Sequence, residues 1–70
     1  MKLTNEEILV IKGVGEEPGW IIGISSHINM NREEVERILQ KFKELKLAQV
    51  DKDGIWTLTQ KGEEIYTERF

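Results

Sequence analysis

Ser25, Ser26 and His27 are three consecutive residues whose side chains suggest nucleophilic chemistry. A serine nucleophile needs a base, a carboxylate that orients the base, and a site that stabilises the developing oxyanion. The spacing of the residues around this trio supplies neither the carboxylate nor the oxyanion site. We therefore interpret His27 as a structural or solvent-facing residue, and we expect the protein not to be an enzyme.

Metal and nucleotide chemistry have equally little support. The chain has 1 histidine and 0 cysteines, which leaves no ligand set typical of a zinc or iron–sulfur centre. The glycine-rich segment 13–19, GVGEEPG, lacks the Gly-Lys-Ser/Thr run of a phosphate-binding loop, and no strand–helix unit follows to complete a dinucleotide fold. We interpret this segment as a connector and expect no metal and no cofactor.

Size and charge restrict the remaining function classes. A chain of 70 residues is expected to form a single domain, residues 1–70, with a small core. The net charge is −3, whereas nucleic-acid-binding modules are usually basic. The charge is unevenly distributed, because residues 31–46 carry five Lys or Arg against four Glu, while residues 1–20 and 47–70 are each net −2. Segment 31–46 is the only net-positive part of the chain.

The distribution of apolar residues bears on the cellular location of the protein. Residues 1–5 lack the apolar core of a signal peptide, and no run reaches the roughly 18 to 20 apolar residues that a membrane span needs. The lack of cysteine fits a reducing compartment. We expect a cytoplasmic protein without a membrane partner.

A central amphipathic helix, helix 3, is predicted at about residues 31–46. Asn31 is suited to cap its first turn, and Glu34 is placed to complete a capping box. The apolar residues of the segment recur at helical spacing and would form one buried stripe, which consists of Val35, Ile38, Leu39, Phe42 and Leu45. The polar residues are left for the outer face.

Three further helices are predicted from similar signals. Thr4 and Glu7 form a capping box at the start of helix 1, and Gly13 and Gly15 are expected to end it. Thr59 is expected to cap the last helix. The predicted ranges are about 4–12 for helix 1, about 21–28 for helix 2 and about 60–69 for helix 4.

Helix 2 and helix 3 are predicted to form a helix-turn-helix. Ile21, Ile24 and Ile28 are spaced for a short helix, and Asn29 tolerates the left-handed conformation that ends a helix. The turn that follows is only a few residues long, as in helix-turn-helix motifs. Gly23 weakens helix 2, so we expect it to allow a close approach to a neighbouring helix.

A β-hairpin is predicted at about residues 48–58. A two-residue Asp-Gly loop and a three-residue loop, residues 52–54 with Gly54 left-handed, are both compatible with the sequence. Only the three-residue loop brings the four apolar residues of the hairpin to one face, so we favour it. It pairs Ala48 with Leu58 and Val50 with Trp56.

Three segments in this order carry a resemblance to a known family. Residues 55–64, IWTLTQKGEE, contain the run aromatic-x-Leu-Thr-x-x-Gly, residues 42–47 are similar to the end of a recognition helix, and residues 24–31 are similar to the junction before it. Residues 20–69 thus resemble the winged helix-turn-helix domain of MarR-like transcription regulators. The resemblance implies an α+β fold that is mainly α, with a three-helix core, a two-stranded β-hairpin wing and a short C-terminal helix.

The resemblance also implies a function and a site. A protein of this kind is a transcriptional regulator that reads double-stranded DNA with helix 3. The long dimerisation helices of full-length MarR-type regulators are absent from the chain, but a single small module binds DNA weakly, so a homodimer is expected if binding is specific. Arg suits guanine and Gln suits adenine, Lys43 would reach a phosphate, and Lys52 of the wing would approach the backbone. The DNA-binding residues implied in this way are Asn31, Arg32, Glu33, Glu36, Arg37, Gln40, Lys43 and Lys52.

The sequence departs from the family pattern at two places that concern the site. Lys46 stands where the family usually has the glycine that ends helix 3, so a different helix end is expected. Asp51 and Asp53 make the wing acidic. The alternative is a winged-helix module for protein–protein interaction, in which the outer face of helix 3 is solvated and carries pairs such as Glu33–Arg37.

The two tryptophans have different expectations. The hairpin register predicts Trp56 in the core. Trp20 follows Gly19 and precedes helix 2, so its position supports either a core residue or an anchor for a partner. Both interpretations of Trp20 remain open from the sequence.

Overall fold

Four helices and a two-stranded hairpin form the computed structural model, which describes residues 2–70. The elements in chain order are α1 (Asn5–Glu16), α2 (Ile21–Ile28), α3 (Arg32–Glu44), β1 (Ala48–Val50), β2 (Trp56–Leu58) and α4 (Gln60–Arg69). This is the predicted winged helix-turn-helix architecture, α+β and mainly α. Met1, the first residue of the segment considered above for a signal peptide, lies outside the described residues. No helix within residues 2–70 is long and apolar enough to cross a membrane.

The core lies where the inner faces of α1, α2 and α3 meet the hairpin. Phe42 is fully buried at its centre, and the predicted core position of Trp56 is confirmed by an exposed fraction of 2%. The other buried apolar residues are Val10, Ile11, Val14, Ile24, Val35, Ile38, Leu39, Leu47, Ala48 and Leu58. Val35, Ile38, Leu39 and Phe42 of the predicted stripe are buried, and Leu45, which follows α3, is only partly buried. The polar face of α3 is therefore turned to solvent.

Helix α1 continues past the glycines that were expected to end it. The capping box of Thr4 and Glu7 is present, but the helix extends to Glu16. A Cβ on Gly13 would lie 2.7 Å from an Ile28 methyl group of α2. A Cβ on Gly15 would lie 2.8 Å from the Tyr66 ring of α4. The glycines therefore allow close helix packing, and the prediction that they terminate α1 was wrong.

Helix α2 ends as predicted, but its glycine has a different role. Asn29 is left-handed, with φ of 55°, and the amides of Asn29 and Met30 donate to carbonyls of the last turn. A Cβ added to Gly23 would meet nothing within 4 Å, so the expected close helix approach at Gly23 was wrong. The close approach between α2 and a neighbouring helix occurs instead at Gly13 of α1, which lies against Ile28 of α2.

Helix α3 ends through a left-handed lysine. Lys46 has φ of 61°, the Leu47 amide donates to the Phe42 carbonyl at 2.8 Å, and the Lys46 amide donates to the Lys43 carbonyl at 3.2 Å. These two bonds form a Schellman motif, which normally has glycine at the left-handed position. The expectation of a different helix end was wrong, since Lys46 adopts the conformation in which the family uses glycine.

The hairpin has the predicted register. Ala48 pairs with Leu58 and Val50 pairs with Trp56, and Gly54 is left-handed with φ of 83°. The three-residue loop is therefore confirmed. A further bridge joins Trp56 to Gly19 through two backbone hydrogen bonds of 2.7 and 3.1 Å, so the connector before α2 extends the small sheet.

The Leu-Thr-x-x-Gly run joins the end of α3 to the start of α4. The Thr59 side chain accepts from the Gly62 amide at 3.2 Å and donates to the Lys46 carbonyl at 2.6 Å. A Cβ on Gly62 would lie 2.0 Å from the Leu47 carbonyl oxygen, so only glycine fits this approach. The motif that carries the family resemblance is thus a packing device that fixes the end of α3.

Candidate nucleic-acid interface

The outer face of α3 presents a continuous row of polar side chains. The eight residues that the family resemblance implied are all exposed: Asn31, Arg32, Glu33, Glu36, Arg37, Gln40, Lys43 and Lys52. Seven of them lie on α3 or cap it, and Lys52 lies at the tip of the wing. The fold therefore brings the α3 residues to one face and leaves Lys52 separate.

The first turn of α3 is capped differently from the prediction. The Asn31 side chain accepts from the amides of Glu33 at 2.8 Å and Glu34 at 3.4 Å. The Glu34 carboxylate does not complete a capping box, because it binds the Arg37 guanidinium through Nε, at 3.3 Å, and Nη2. This contact lowers the pKa of Glu34 and raises the pKa of Arg37. The expected capping box was wrong, and the partner of Arg37 is Glu34 rather than Glu33.

A second ion pair links α3 to α1. Lys41 Nζ lies 2.6 Å from Glu7 Oε2, and the other oxygen of Glu7 accepts from the Thr4 amide at 2.9 Å. Glu7 is only 5% exposed, so its carboxylate is almost fully removed from solvent. The hydrogen bond from Lys41, followed by that from the Thr4 backbone, lowers the pKa of Glu7. Lys41 is therefore occupied in holding α1 against α3.

These two pairs change the charge balance of the outer face. Within residues 2–70, Arg32 and Lys43 form no ion pair, and the exposed carboxylates of Glu33, Glu36 and Glu44 form none either. The sequence count of five cations against four carboxylates for segment 31–46 thus overstates the positive charge that α3 offers. Its unpaired cations lie at the two ends of the helix.

The wing turn is organised by its own acidic residues. The Asp51 carboxylate accepts from the amides of Asp53 at 2.8 Å and Ile55 at 3.0 Å. Trp20 donates from its indole nitrogen to the Asp53 carbonyl at 2.9 Å while remaining 60% exposed. Trp20 is therefore a surface residue that braces the wing, and Lys52 is left exposed at the tip.

The serine–histidine trio does not form a catalytic arrangement. Ser25 is buried, and its hydroxyl donates to the Ile22 carbonyl at 3.1 Å, inside its own helix. His27 lies 3.0 Å from a Glu16 carboxylate oxygen and 4.0 Å from Glu17, on the surface. Among residues 2–70, no group of three or more side chains is placed to hold a metal ion.

Comparison with known proteins supports the architecture rather than a sequence relationship. The sequence matches no protein-family model and no curated protein. Its structure is similar to the MarR repressor of Listeria monocytogenes, with 18% identity, a TM-score of 0.83, and coverage of 93% of this chain and 48% of that one. ZitR of Lactococcus lactis, solved in complex with DNA, has 20% identity and a TM-score of 0.83 over 97% of this chain and 51% of ZitR.

A third similar structure is that of a Mycobacterium tuberculosis MarR-family protein in complex with DNA, with 18% identity and a TM-score of 0.79 over 94% of this chain and 52% of that one. This chain thus has the winged-helix fold of these MarR-family structures. It spans about half the length of these regulators.

The fold also occurs in a protein of another class. An O-methyltransferase from neocarzinostatin biosynthesis aligns with a TM-score of 0.72 and 20% identity, over 84% of this chain but only 20% of the enzyme. A shared fold does not by itself define a function. The assignment of a function therefore depends on the α3 face.

Sequence reasoning missed the two contacts that most affect this face. The pairing of Glu34 with Arg37 has a local signal, the i,i+3 spacing of opposite charges, which the capping-box interpretation displaced. The pairing of Lys41 with Glu7 joins residues that are 34 positions apart, and no local pattern indicates it.

Proposed function

We propose that this chain is a winged-helix module that binds double-stranded DNA and acts as a transcriptional regulator in the cytoplasm, with α3 in the major groove. The observation that carries the proposal is the exposed polar face of α3, supported by α2 through a helix-turn-helix. Two structural neighbours with this fold were solved in complex with DNA, which supports the same orientation here.

The proposed contacts divide by chemistry. Arg32, Arg37 and Gln40 suit base edges, because Arg pairs bidentately with guanine and Gln with adenine. Lys43 and Lys52 would contact phosphates, which position a protein but do not specify sequence. The other members of the proposed face are Asn31, Glu33 and Glu36.

A single module with few phosphate contacts binds DNA weakly, so we propose that the regulator acts as a homodimer. The natural interface is the surface of α1 and α4. Leu9 of α1 is 36% exposed and Phe70, just after α4, is 55% exposed, and the Lys12 ammonium lies 5.7 Å from the Phe70 ring centre. Covering these apolar side chains would favour association.

A second candidate function is protein binding without DNA. The observation that favours it is the combination of exposed Glu33 and Glu36 with the neutralised cations Arg37 and Lys41. Carboxylates on this face would repel phosphates, so a partner protein with a basic surface is the natural alternative.

Binding to random duplex DNA at 50 and 200 mM salt tests the proposal. We expect log K to fall as log salt rises, because bound Lys and Arg release counterions from the duplex. No binding at the lower salt concentration would reject the DNA function and favour the protein partner.

Arg37→Ala gives the matching test at residue level. We expect weaker DNA binding with an unchanged melting temperature. The Arg37 side chain is 66% exposed, and the Glu34 side chain with which it pairs is 39% exposed, so the pair adds little to stability. A clear loss of thermal stability would instead make Arg37 structural.

A further inference from the structure

We propose that the groove between the C-terminal end of α3 and strand β1 is a second phosphate-binding site for the DNA backbone, in which Lys46 acts together with Lys43. The inference rests on the proposed DNA-binding function and deepens it. The groove has a volume of about 310 Å³ and is lined by Lys43, Lys46, Ala48, Gln49, Val50 and Thr59.

The lining of the groove carries positive charge only. Within residues 2–70, neither Lys43 nor Lys46 forms an ion pair, whereas Arg37 and Lys41 of the same segment are both paired with carboxylates. The exposed Glu44 lies between the two lysines in sequence but does not line the groove. Two ammonium groups on a groove without an acidic lining residue attract an anion. A lysine ammonium is a compact point charge, which suits a phosphate oxygen.

The other polar side chains that line the groove are hydrogen-bonded within the protein. The Thr59 hydroxyl donates to the Lys46 carbonyl and accepts from the Gly62 amide. The Gln49 amide nitrogen donates to the Thr57 hydroxyl at 3.4 Å. The two lysines are the charged groups of the lining, and they are left for a ligand.

Lys46 has a backbone conformation that is unusual for lysine. Its φ of 61° is one that side chains other than glycine, asparagine and aspartate rarely adopt, and here it closes the end of α3. A residue held in a disfavoured conformation points to a functional requirement for its side chain. A positive charge at this position is such a requirement.

The location gives the site a specific role. The wing turn has Asp51 and Asp53 on either side of Lys52, so its tip is poor in positive charge. The groove lies at the base of the same wing, beside the outer face of α3. Lys43 and Lys46 thus supplement the single backbone contact that Lys52 of the wing tip is proposed to make.

Lys46→Gly tests the site because it moves stability and DNA affinity in opposite directions. We expect the melting temperature to rise by roughly 2 to 6 °C, since glycine relieves the left-handed strain. We expect the slope of log K against log salt to become shallower by about 0.9, the value for one lost phosphate contact. The affinity deficit of the variant at 50 mM salt should then exceed its deficit at 200 mM salt by about 3.5-fold.

Two further variants separate the site from a general charge effect. Lys46→Arg should keep the wild-type slope, because the charge is retained. Lys61→Gln removes one charge from α4, on a surface beside Leu3, and should leave the slope almost unchanged. If the wild type shows a salt-dependent affinity and Lys46→Gly has the same slope, the groove site is rejected and the DNA function remains. If the wild type binds no DNA at 50 mM salt, both proposals are rejected.

Discussion

The two edges of α3 use the same residue types for different purposes. On the edge that faces α1, Arg37 and Lys41 are paired with Glu34 and Glu7, and the second of these carboxylates is nearly buried. On the edge that faces the wing, Lys43 and Lys46 have no ion-pair partner within residues 2–70. On the first edge the Lys41–Glu7 pair holds α1 against α3 and Arg37 is paired at the surface, whereas the second edge leaves charge available for a ligand.

The difference shows that a net charge is a poor guide to what a surface can bind. The chain has a net charge of −3, yet its carboxylates form ion pairs with only some of its cations. Glu7 neutralises a lysine from the core side, where it cannot face a ligand. Because charge is cancelled at one edge and left uncancelled at the other, the local field differs along one helix.

The largest expected effect on stability is at Gly62 of α4, which packs against the chain just after the wing-facing end of α3. Gly62→Ala should destabilise the protein by about 3 kcal/mol, because the new Cβ would lie 2.0 Å from the Leu47 carbonyl oxygen that follows α3. Urea unfolding followed by circular dichroism measures the change. Gly23→Ala is the matched control. Gly23 lies in a helix and a Cβ there would meet nothing within 4 Å, so we expect the free energy of unfolding to rise by about 0.5 to 1 kcal/mol. Equal effects at both glycines would refute the packing role of Gly62.

A smaller effect is expected at the edge that faces α1. Glu7→Gln should cost about 1 to 2 kcal/mol, because it weakens the charged hydrogen bond from Lys41 and the capping bond from the Thr4 amide. The loss should appear in thermal unfolding at neutral pH. An unchanged melting temperature would show that this edge does not stabilise the fold.

The same pair predicts a pH dependence with a defined sign. The pKa of Glu7 is lowered in the folded protein from its ordinary value of 4.5. Its contribution to stability is therefore fully present above about pH 5 and is lost as the pH falls through the lower folded-state pKa. Unfolding of the wild type between about pH 3 and pH 6 should show this loss, and Glu7→Gln should show a flatter acid limb. Parallel curves for the two proteins would contradict the assignment.

The smallest expected effect sharpens the contrast on the DNA side. Glu34→Gln and Glu33→Gln remove the same charge from the same turn, but only Glu34 binds Arg37. Both should raise DNA affinity, and Glu34→Gln should raise it more, because it also frees the Arg37 guanidinium, which is proposed to contact a base edge, from its carboxylate partner. Equal affinities for the two variants would mean that Arg37 gains nothing from losing its partner.

The sequence was sufficient where the determining interactions are local. The stripe from Val35 to Phe42, the left-handed Asn29 and the register set by Val50 and Trp56 all follow from spacing and turn chemistry, and the structure has each of them. These features depend on residues a few positions apart, whose conformational preferences and spacing can be read directly from the sequence.

Two of the failures are local, the end of α3 at Lys46 and the capping box displaced by the pairing of Glu34 with Arg37, and the others arise because glycine and charge act through residues distant in sequence. Gly13 and Gly15 have local preferences that end a helix, and packing against Ile28 and Tyr66 overrides these preferences. Lys41 looks like a surface cation until α1 brings Glu7 beside it. The outer face of α3 could therefore be located from the sequence, whereas its effective charge could not.

The two hydrogen bonds between Gly19 and Trp56 have a mechanical consequence. Together with the indole bond from Trp20 to Asp53, they tie both β2 and the wing turn to the connector that leads directly into α2. A displacement of the wing therefore pulls on the start of the helix that supports α3. These bonds restrain the wing relative to the helix-turn-helix, which lowers the conformational entropy that the wing has to lose when it contacts a ligand.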